Sequence, residues 1–228
     1  MNERDYKDGL FSEYARIGKC LSSPKRLEIL DLLVHGPKSV ENISKMTSMS
    51  IANVSQHLQT LHQAKLVDYK KRGNFVFYEL ADSSVLHFLD SLYGLSEKQL
   101  IEVQHIKNEF LDQFSEVEGV SMEELIRRME AGDVTLIDVR PKDEYDAAHI
   151  PGAVSIPIEE LADQLASLPD NTKVVAYCRG PNCIMSVKAV ELLKSKGIDA
   201  VRLDKRVQDW NAFVTGLKNE QVDRAVTF

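Results

Sequence analysis

An apolar run, a short polar loop and a helical pattern follow one another near the C-terminus of the chain. The run Val174-Val175-Ala176 predicts a buried strand, and residues 186–193 have the apolar spacing of a helix. Between them lies the loop 178–183, which begins with Cys178 and ends with Cys183. Cys178 is therefore expected at the junction between a strand and the N-terminus of a helix.

The position of Cys178 predicts a reactive thiol. Backbone N–H groups converge at a helix N-terminus and the helix dipole is positive there, and both lower the pKa of a thiol. Arg179 adds a fixed positive charge beside it. The alternative is a buried structural cysteine, but the polar loop shaped by Gly180 and Pro181 argues against burial.

Cys183 is the second unusual residue of this loop. Because it follows Cys178 by five positions, it could attack a sulfur atom held there and leave a disulfide. It could equally be a small buried residue that begins the helix. The chain has three cysteines in 228 residues, too few for a framework of structural disulfides. Cysteine thiols also stay reduced in a cytosol.

Several ordered motifs precede the loop. They are Leu136-Ile137-Asp138-Val139-Arg140, Glu144-Tyr145, Ala148-His149-Ile150-Pro151-Gly152-Ala153 and Ile156-Pro157. With the cysteine loop, they make the segment from about Ser121 to Leu217 resemble the rhodanese (sulfurtransferase) domain. The resemblance implies an α/β fold with a mostly parallel sheet. It also implies a loop cysteine that accepts sulfane sulfur as a persulfide and passes it to a nucleophile.

The resemblance assigns roles to individual residues. Cys178 matches the persulfide-carrying cysteine, with Arg179 beside it and Cys183 as the candidate resolving thiol. The implied partners are a sulfane-sulfur donor, either thiosulfate or a persulfide, and a thiol acceptor, and no cofactor is implied. The substrate-binding loop comprises Arg179, Gly180, Pro181, Asn182 and Cys183.

Four further residues match scaffold positions of that family: Asp138, Arg140, Glu144 and His149. We expect a structural ion pair between Arg140 and Glu144, and we expect His149 to order a loop. The position six after Cys178 is Ile184, so the loop lacks the arginine with which phosphate- or arsenate-handling relatives bind an oxyanion. The segment 203–206 replaces the paired glycines usual before the tryptophan, so Lys205 and Arg206 could flank the mouth of the site.

The remainder of the chain predicts a cytoplasmic protein that does not associate with a membrane. It opens without an apolar signal segment, and no run approaches the roughly 20 apolar residues that span a bilayer. The net charge of -7 is uneven, because residues 1–100 hold 13 Lys and Arg against 12 Asp and Glu, whereas residues 101–228 hold 15 against 23. The acidic excess of the second half therefore does not exclude nucleic-acid binding by the first.

The N-terminal half predicts three short helices followed by a hairpin. Residues 23–33 predict a helix with proline in its first turn, Ser39 caps a second helix, and Ser50 caps a third. The third helix repeats Ile51, Val54, Leu58 and Leu61 at helical spacing on one face. Two strand-like runs then meet at Gly73-Asn74.

This order predicts a winged helix-turn-helix that binds double-stranded operator DNA. The polar face of the third helix can enter a major groove, while the basic arm of the hairpin meets phosphates. The alternative is a merely solvated helix face beside an ordinary hairpin. The candidate DNA-binding residues are Asn53, Ser55, Gln56, His57, Gln59, Lys70, Lys71 and Arg72.

Three motifs make residues 10–95 resemble the ArsR/SmtB repressor family: Pro24-Lys25-Arg26-Leu27, Val54-Ser55-Gln56-His57-Leu58 and Ala64-Lys65-Leu66-Val67. Lys65 stands where glycine is usual, and a left-handed conformation there would cost about 1 kcal/mol. The resemblance implies a homodimer built from residues 6–21 and the helix after the wing. The metal ligands of that family are missing, so we expect no metal site, and we expect Cys20, His87 and His105 not to be ligands.

The domain organisation predicted from these patterns has three parts. Residues 1–95 form the winged helix-turn-helix domain, residues 96–119 a helical connector and residues 120–228 the rhodanese-like domain. Ser96-Glu97-Lys98-Gln99 predicts a capping box that opens a connector helix, and Glu116 to Gly119 predict the boundary.

Three functions remain open. The rhodanese-like domain could sense reactive sulfur and change DNA binding, or the chain could be mainly a sulfurtransferase whose other half localises it or makes it dimeric. In the third, Cys178 and Cys183 form a non-catalytic redox pair.

Overall fold

The computed structural model describes residues 1–111, 113–114, 117–169 and 173–226. The chain divides into two compact units, Met1–Ile101 and Glu102–Phe228. Glu116, the first residue of the predicted boundary, lies outside the described residues. Among the described helices, none is long and apolar enough to cross a membrane.

The first unit consists of five helices and a small antiparallel sheet. Strand β3 lies between β1 and β2, and the β2–β3 hairpin turns at Gly73, where φ is +60°. In chain order the elements are α1 (Glu3–Leu21), α2 (Pro24–Val34), β1 (Lys38–Ser39), α3 (Val40–Thr47), α4 (Ile51–Gln63), β2 (Val67–Arg72), β3 (Phe75–Leu80) and α5 (Ser83–Gln99).

Local sequence signals account for the helices of this unit. The Ser39 hydroxyl accepts a hydrogen bond from the Asn42 amide, and the Ser50 hydroxyl accepts one from the Asn53 amide, so both predicted caps are present. Val54, Leu58 and Leu61 are buried in the core as expected. Ile51 is not, since it is 54% exposed at the first position of α4.

Lys65 adopts the left-handed backbone conformation expected of it, with φ at +60°. It directs the chain from α4 into β2, and the Leu66 amide closes this turn by donating to the carbonyl of Leu61. The predicted capping box at Ser96 is wrong. Helix α5 runs without interruption to Gln99, and the Ser96 hydroxyl donates to the carbonyl of Leu92 four residues earlier.

The second unit is built on a four-stranded sheet in which every pair of neighbours is parallel, in the order β5-β4-β6-β7. The predicted α/β class with a mostly parallel sheet is therefore confirmed, as is the winged helix-turn-helix class of the first unit. In chain order the elements are α6 (Ile101–Leu111), α7 (Met122–Ala131), β4 (Val134–Asp138), α8 (Lys142–Ala147), β5 (Val154–Ser155), α9 (Leu161–Gln164), β6 (Lys173–Tyr177), α10 (Met185–Ser195), β7 (Ala200–Leu203) and α11 (Val207–Val226).

Alternate residues of β6 enter two different hydrophobic clusters. Val175 and Tyr177 belong to the cluster that contains Trp210, whereas Val174 and Ala176 belong to the cluster that α10 covers. This alternation follows from the opposite directions of successive side chains in a strand. Cys178, one residue beyond the strand, continues the second set and faces the α10 side of the sheet.

Candidate functional site

The cysteine loop 178–183 lies at the carboxyl end of β6 and leads into α10, as the sequence predicts. Cys178 and Cys183 are joined by a disulfide, with their Cα atoms 6.4 Å apart. The Cys183 amide donates to the carbonyl of Gly180 at 3.1 Å, which closes a turn inside the loop. The sulfur atoms are thus brought together by a turn of the loop itself.

The expectation that Cys178 escapes burial is wrong. It is 1% exposed and packs in the same hydrophobic cluster as Val139, Ala189 and Leu193. Cys183 is only partly buried at the edge of that cluster. Of the two cysteines in the disulfide, Cys183 is therefore the more accessible to a thiol from solution.

Arg179 is neutralised by a carboxylate. Its Nε and Nη2 atoms donate to both oxygens of Glu144, with the shortest distance at 2.6 Å, and the Glu144 side chain is fully buried. The predicted Arg140–Glu144 ion pair is wrong. Arg140 instead binds Asp138 through Nε and Nη2 and donates to the carbonyl of Ala148 at 2.7 Å. Arg179 consequently fastens the loop to α8 and supplies no free charge to Cys178.

Arg202 contacts the cysteine loop, and the sequence patterns did not predict this contact. It lies in β7 and is 6% exposed, and its Nη2 atom donates to the carbonyls of Gly180 at 3.2 Å and Pro181 at 2.7 Å. Burial lowers the pKa of Arg202, and the negative charge of Asp204 offsets this only in part. The only signal for it in the sequence is a cation inside the apolar strand Ala200-Val201-Arg202-Leu203.

Gly180 brings the loop against Arg206. Its φ is +100°, and a Cβ atom at this position would lie 2.6 Å from Cγ of Arg206. Arg206 is held in turn by Asp209, which accepts hydrogen bonds from its backbone amide and its guanidinium. Burial would raise the pKa of Asp209, but these hydrogen bonds lower it overall. Lys205 pairs with Asp204 and is about half exposed.

His149, a matched scaffold residue, and Tyr177 both order the segment between α8 and β5. His149 stacks on the ring of Tyr145 with centroids 3.9 Å apart, and its Nδ1 lies 2.9 Å from the carbonyl oxygen of Tyr145. The Tyr177 hydroxyl accepts a hydrogen bond from the Ile150 amide. Burial, followed by the negative charge of Asp138, raises the pKa of Tyr177 far above its usual range.

In the first unit, α4 presents the predicted polar face. Asn53, Gln56 and Gln59 are exposed, whereas Ser55 and His57 are partly buried. The exposed side chains of this face are therefore neutral amides, which can both donate and accept hydrogen bonds.

The three basic residues of the wing have different surroundings. Lys70 donates to Glu79 at 2.5 Å, and the Arg72 guanidinium lies 5.3 Å from the centroid of the Phe77 ring. Lys71 is exposed and lies opposite Val76, so its side chain leaves the hairpin on the other face from Lys70 and Arg72. The wing consequently does not offer three equivalent cations.

Cys20 lies in the core of the first unit and is 5% exposed. Its thiol points to the carbonyl of Thr60 at 3.8 Å, and its own carbonyl accepts a hydrogen bond from Arg26. Burial raises the pKa of the Cys20 thiol, and Arg26 offsets this only in part. Within the described ranges, no cluster of three or more histidine, cysteine, aspartate or glutamate residues could hold a metal ion.

Comparison with known proteins assigns each unit to a family. Residues 23–69 match the family described as bacterial regulatory protein, arsR family, and residues 121–213 match the rhodanese-like domain. The two matches define the class of the molecule as a DNA-binding transcriptional regulator joined to a rhodanese-like domain. The HTH-type transcriptional regulator Rv0324 of Mycobacterium tuberculosis is 39% identical over 208 residues, which are 91% of this chain and 91% of that protein. The chain belongs to the ArsR family of transcriptional regulators and carries a rhodanese-like domain after its winged helix-turn-helix.

Two further relatives each match one part of the chain. The putative sulfur carrier protein YrkF of Bacillus subtilis is 28% identical over 98 residues, which are 42% of this chain and 52% of that protein. The homodimeric winged helix-turn-helix DNA-binding domain of Mb0332 from Mycobacterium bovis is 32% identical, with a TM-score of 0.41. That match covers 44% of this chain and 91% of the solved domain.

Proposed function

We propose that this regulator responds to reactive sulfur through the cysteine loop, and that the Cys178–Cys183 disulfide is one of its two signalling states. The observation that carries the proposal is the disulfide itself, formed within a loop of the rhodanese-like domain. The resemblance of part of the chain to a protein named as a putative sulfur carrier supports sulfur as the signal.

The chemistry proceeds in two balanced steps. The Cys178 thiolate attacks the outer sulfur of thiosulfate, forms a persulfide and releases sulfite. The Cys183 thiolate then attacks the Cys178 sulfur, so that a disulfide forms and the outer sulfur leaves as hydrosulfide. Thiosulfate is the oxidant, since it accepts the two electrons that the thiols give up, and an external thiol restores the reduced loop.

The surroundings of the loop favour these steps. Helix α10 begins at Met185, two residues after Cys183, and its N-terminus favours an anion in the loop. Arg179 is already neutralised by Glu144, so we assign it the task of holding the loop in place. Because Cys183 is the more accessible residue of the pair, the restoring thiol attacks its sulfur and releases Cys178 as the thiolate.

The proposed DNA contacts divide into base-reading and phosphate-binding groups. Asn53, Ser55, Gln56, His57 and Gln59 of α4 face the major groove, and Lys70, Lys71 and Arg72 of the wing meet phosphates. Replacement of Gln56 then changes sequence preference, whereas joint replacement of the wing cations weakens binding to all sequences and lowers its salt dependence.

We also propose that the regulator acts as a homodimer. Large apolar side chains stay exposed on α1 and α5 of the first unit, including Tyr6, Phe11, Tyr14 and Phe88. A second copy would cover these side chains. It would also supply the second recognition helix that a two-fold operator requires.

The decisive experiment measures operator affinity before and after thiosulfate treatment, in the wild type, Cys178→Ser and Cys183→Ser, with sulfur loading confirmed by intact mass. We expect the wild-type affinity to change by about 5- to 150-fold, the range typical of linkage between two sites, and Cys178→Ser not to respond. Cys183→Ser should gain one sulfur atom yet keep its affinity, because it cannot form the disulfide.

Two results would change the assignment. A Cys183→Ser variant that responds fully would make the persulfide, not the disulfide, the signal. A wild type that loads sulfur or forms the disulfide without any change in affinity would refute sensing. Sustained transfer of sulfur from thiosulfate to a thiol would then identify the domain as a sulfurtransferase carried on a regulator.

A further inference from the structure

Arg202 contacts two functionally different parts of the second unit at once. Its guanidinium donates to the carbonyls of Gly180 and Pro181 inside the cysteine loop. Its backbone pairs with the segment 118–120. In the sequence, this segment leads from the DNA-binding half into the rhodanese-like domain. One residue therefore joins the loop to the entering segment.

The loop contact of Arg202 involves the turn that brings the cysteines together. The carbonyl of Gly180 accepts hydrogen bonds from both the Cys183 amide and the Arg202 guanidinium. When the Cys178–Cys183 bond opens, Cys183 is released from Cys178, and the turn that presents this carbonyl loses its covalent closure. The disulfide therefore closes the turn that presents this carbonyl to Arg202.

The backbone contact of Arg202 is a short parallel bridge with Gly119. The Arg202 amide donates to the carbonyl of Glu118 at 2.8 Å, and the Val120 amide donates to the carbonyl of Arg202 at 2.8 Å. These bonds hold the entering segment along the edge strand β7. A displacement of Arg202 along or away from β7 would break them.

The guanidinium of Arg202 depends strongly on the loop carbonyls. The residue is 6% exposed, and its Nε atom has no hydrogen-bond partner among the residues that the structure describes. A buried cation that loses its acceptors pays the full cost of desolvation, so it moves until it finds others. A change in the loop therefore alters the interactions of Arg202, whose backbone is hydrogen-bonded to residues 118–120.

We propose that Arg202 is the positioning residue through which the redox state of the cysteine loop reaches the segment 118–120. This inference rests on the proposed function, since it supplies the route by which the Cys178–Cys183 disulfide would influence the DNA-binding half. In the oxidised protein Arg202 holds Gly180, Pro181 and the entering segment together. In the reduced protein this arrangement loosens and the segment gains freedom.

Hydrogen exchange of the full-length protein, followed by mass spectrometry, tests this role. The disulfide and dithiol states are prepared with thiosulfate and with dithiothreitol, and their masses are checked before exchange. In the wild type, reduction should raise the exchange of the peptide that contains Val120 by about 5-fold or more, the lower end of typical coupling between sites. In Arg202→Met the exchange should be fast in both states.

Two further variants separate the contact from charge and from folding. Lys205→Met removes a neighbouring cation that is about half exposed and should behave as the wild type does. Arg202→Lys keeps a buried cation but not the forked donor, and should also lose the dependence on the disulfide. If Arg202→Met does not fold, Arg202→Lys and the wild type still decide the matter.

The outcomes distinguish this inference from the proposed function. Equal exchange at Val120 in both wild-type states, or an undiminished difference in the Arg202 variants, would overturn the role of Arg202. If operator affinity still followed the disulfide on those samples, sensing would stand by another route. If exchange changed as expected while operator affinity did not, Arg202 would keep its role within the domain and sensing would fall.

Discussion

Arg179 donates three hydrogen bonds, two from Nε and one from Nη2, to the buried carboxylate of Glu144 and so ties the cysteine loop to α8. The two residues are 35 positions apart in the chain. The pair fixes the first turn of the loop, and the Glu144 carboxylate offsets the positive charge of Arg179.

Replacement of Glu144 by glutamine should destabilise the second unit. It leaves the Arg179 guanidinium nearly buried without a countercharge, and loss of one partner of such a pair costs about 3–5 kcal/mol. Urea unfolding followed by the fluorescence of Trp210, the single tryptophan of the chain, reports on this unit. Lys142→Gln breaks an exposed ion pair with Asp146 and should change stability by less than about 1 kcal/mol. Equal effects of both variants would contradict a structural role for Glu144.

Alkylation of the reduced protein should modify Cys183, which is only partly buried, before Cys20. Burial shields Cys20 and raises its pKa, so little thiolate forms there near neutral pH and still less at lower pH. Timed iodoacetamide labelling, read by peptide mass spectrometry, gives the order. In urea all three cysteines should react at similar rates, and early modification of Cys20 in the folded protein would refute the assignment.

Replacement of Glu79 by glutamine should strengthen DNA binding. Lys70 is engaged with Glu79 at 2.5 Å, so the change frees a cation on the wing for a phosphate. The slope of log affinity against log salt should steepen by about 0.9, the value for one added phosphate contact. Glu28→Gln makes the same change in net charge at an exposed pair with Lys25 on α2 and serves as the control. Identical salt slopes for the two variants would argue against phosphate binding by Lys70.

The substitution Lys65→Gly should stabilise the first unit. Lys65 has φ at +60°, where a side chain is strained, and relief of this strain should add about 0.5–1 kcal/mol to the free energy of unfolding. The substitution Gln59→Gly, in the interior of α4, should instead lower it by about 1 kcal/mol. Thermal unfolding followed by circular dichroism compares the two, and a destabilised Lys65→Gly would show that the lysine side chain contributes more than the strain costs.

Short-range signals predicted much of this molecule. The caps at Ser39 and Ser50, the turn at Gly73 and the left-handed Lys65 each depend on residues within a few positions. The capping box at Ser96 failed because the same residue pattern is compatible with the middle of a helix that continues.

The errors in the second unit have a different cause. Arg140 and Glu144 are spaced as a helical ion pair, but Pro141 caps α8, so Arg140 lies outside the helix and reaches back to Asp138. Glu144 then binds Arg179, and Arg202 binds the loop across 22 positions of sequence. Contacts of that range are set by the order of strands in the sheet, which no local pattern contains.

The pairing of residues 118–120 with β7 bears on how the rhodanese-like unit could be produced alone. A fragment begun at Val120, the boundary predicted from sequence, lacks the carbonyl of Glu118 and leaves the amide of Arg202 unpaired at the sheet edge. An unpaired strand edge invites association with other chains. A fragment begun at Val117 keeps the edge covered and is therefore the better candidate for a monomeric, soluble preparation of this unit.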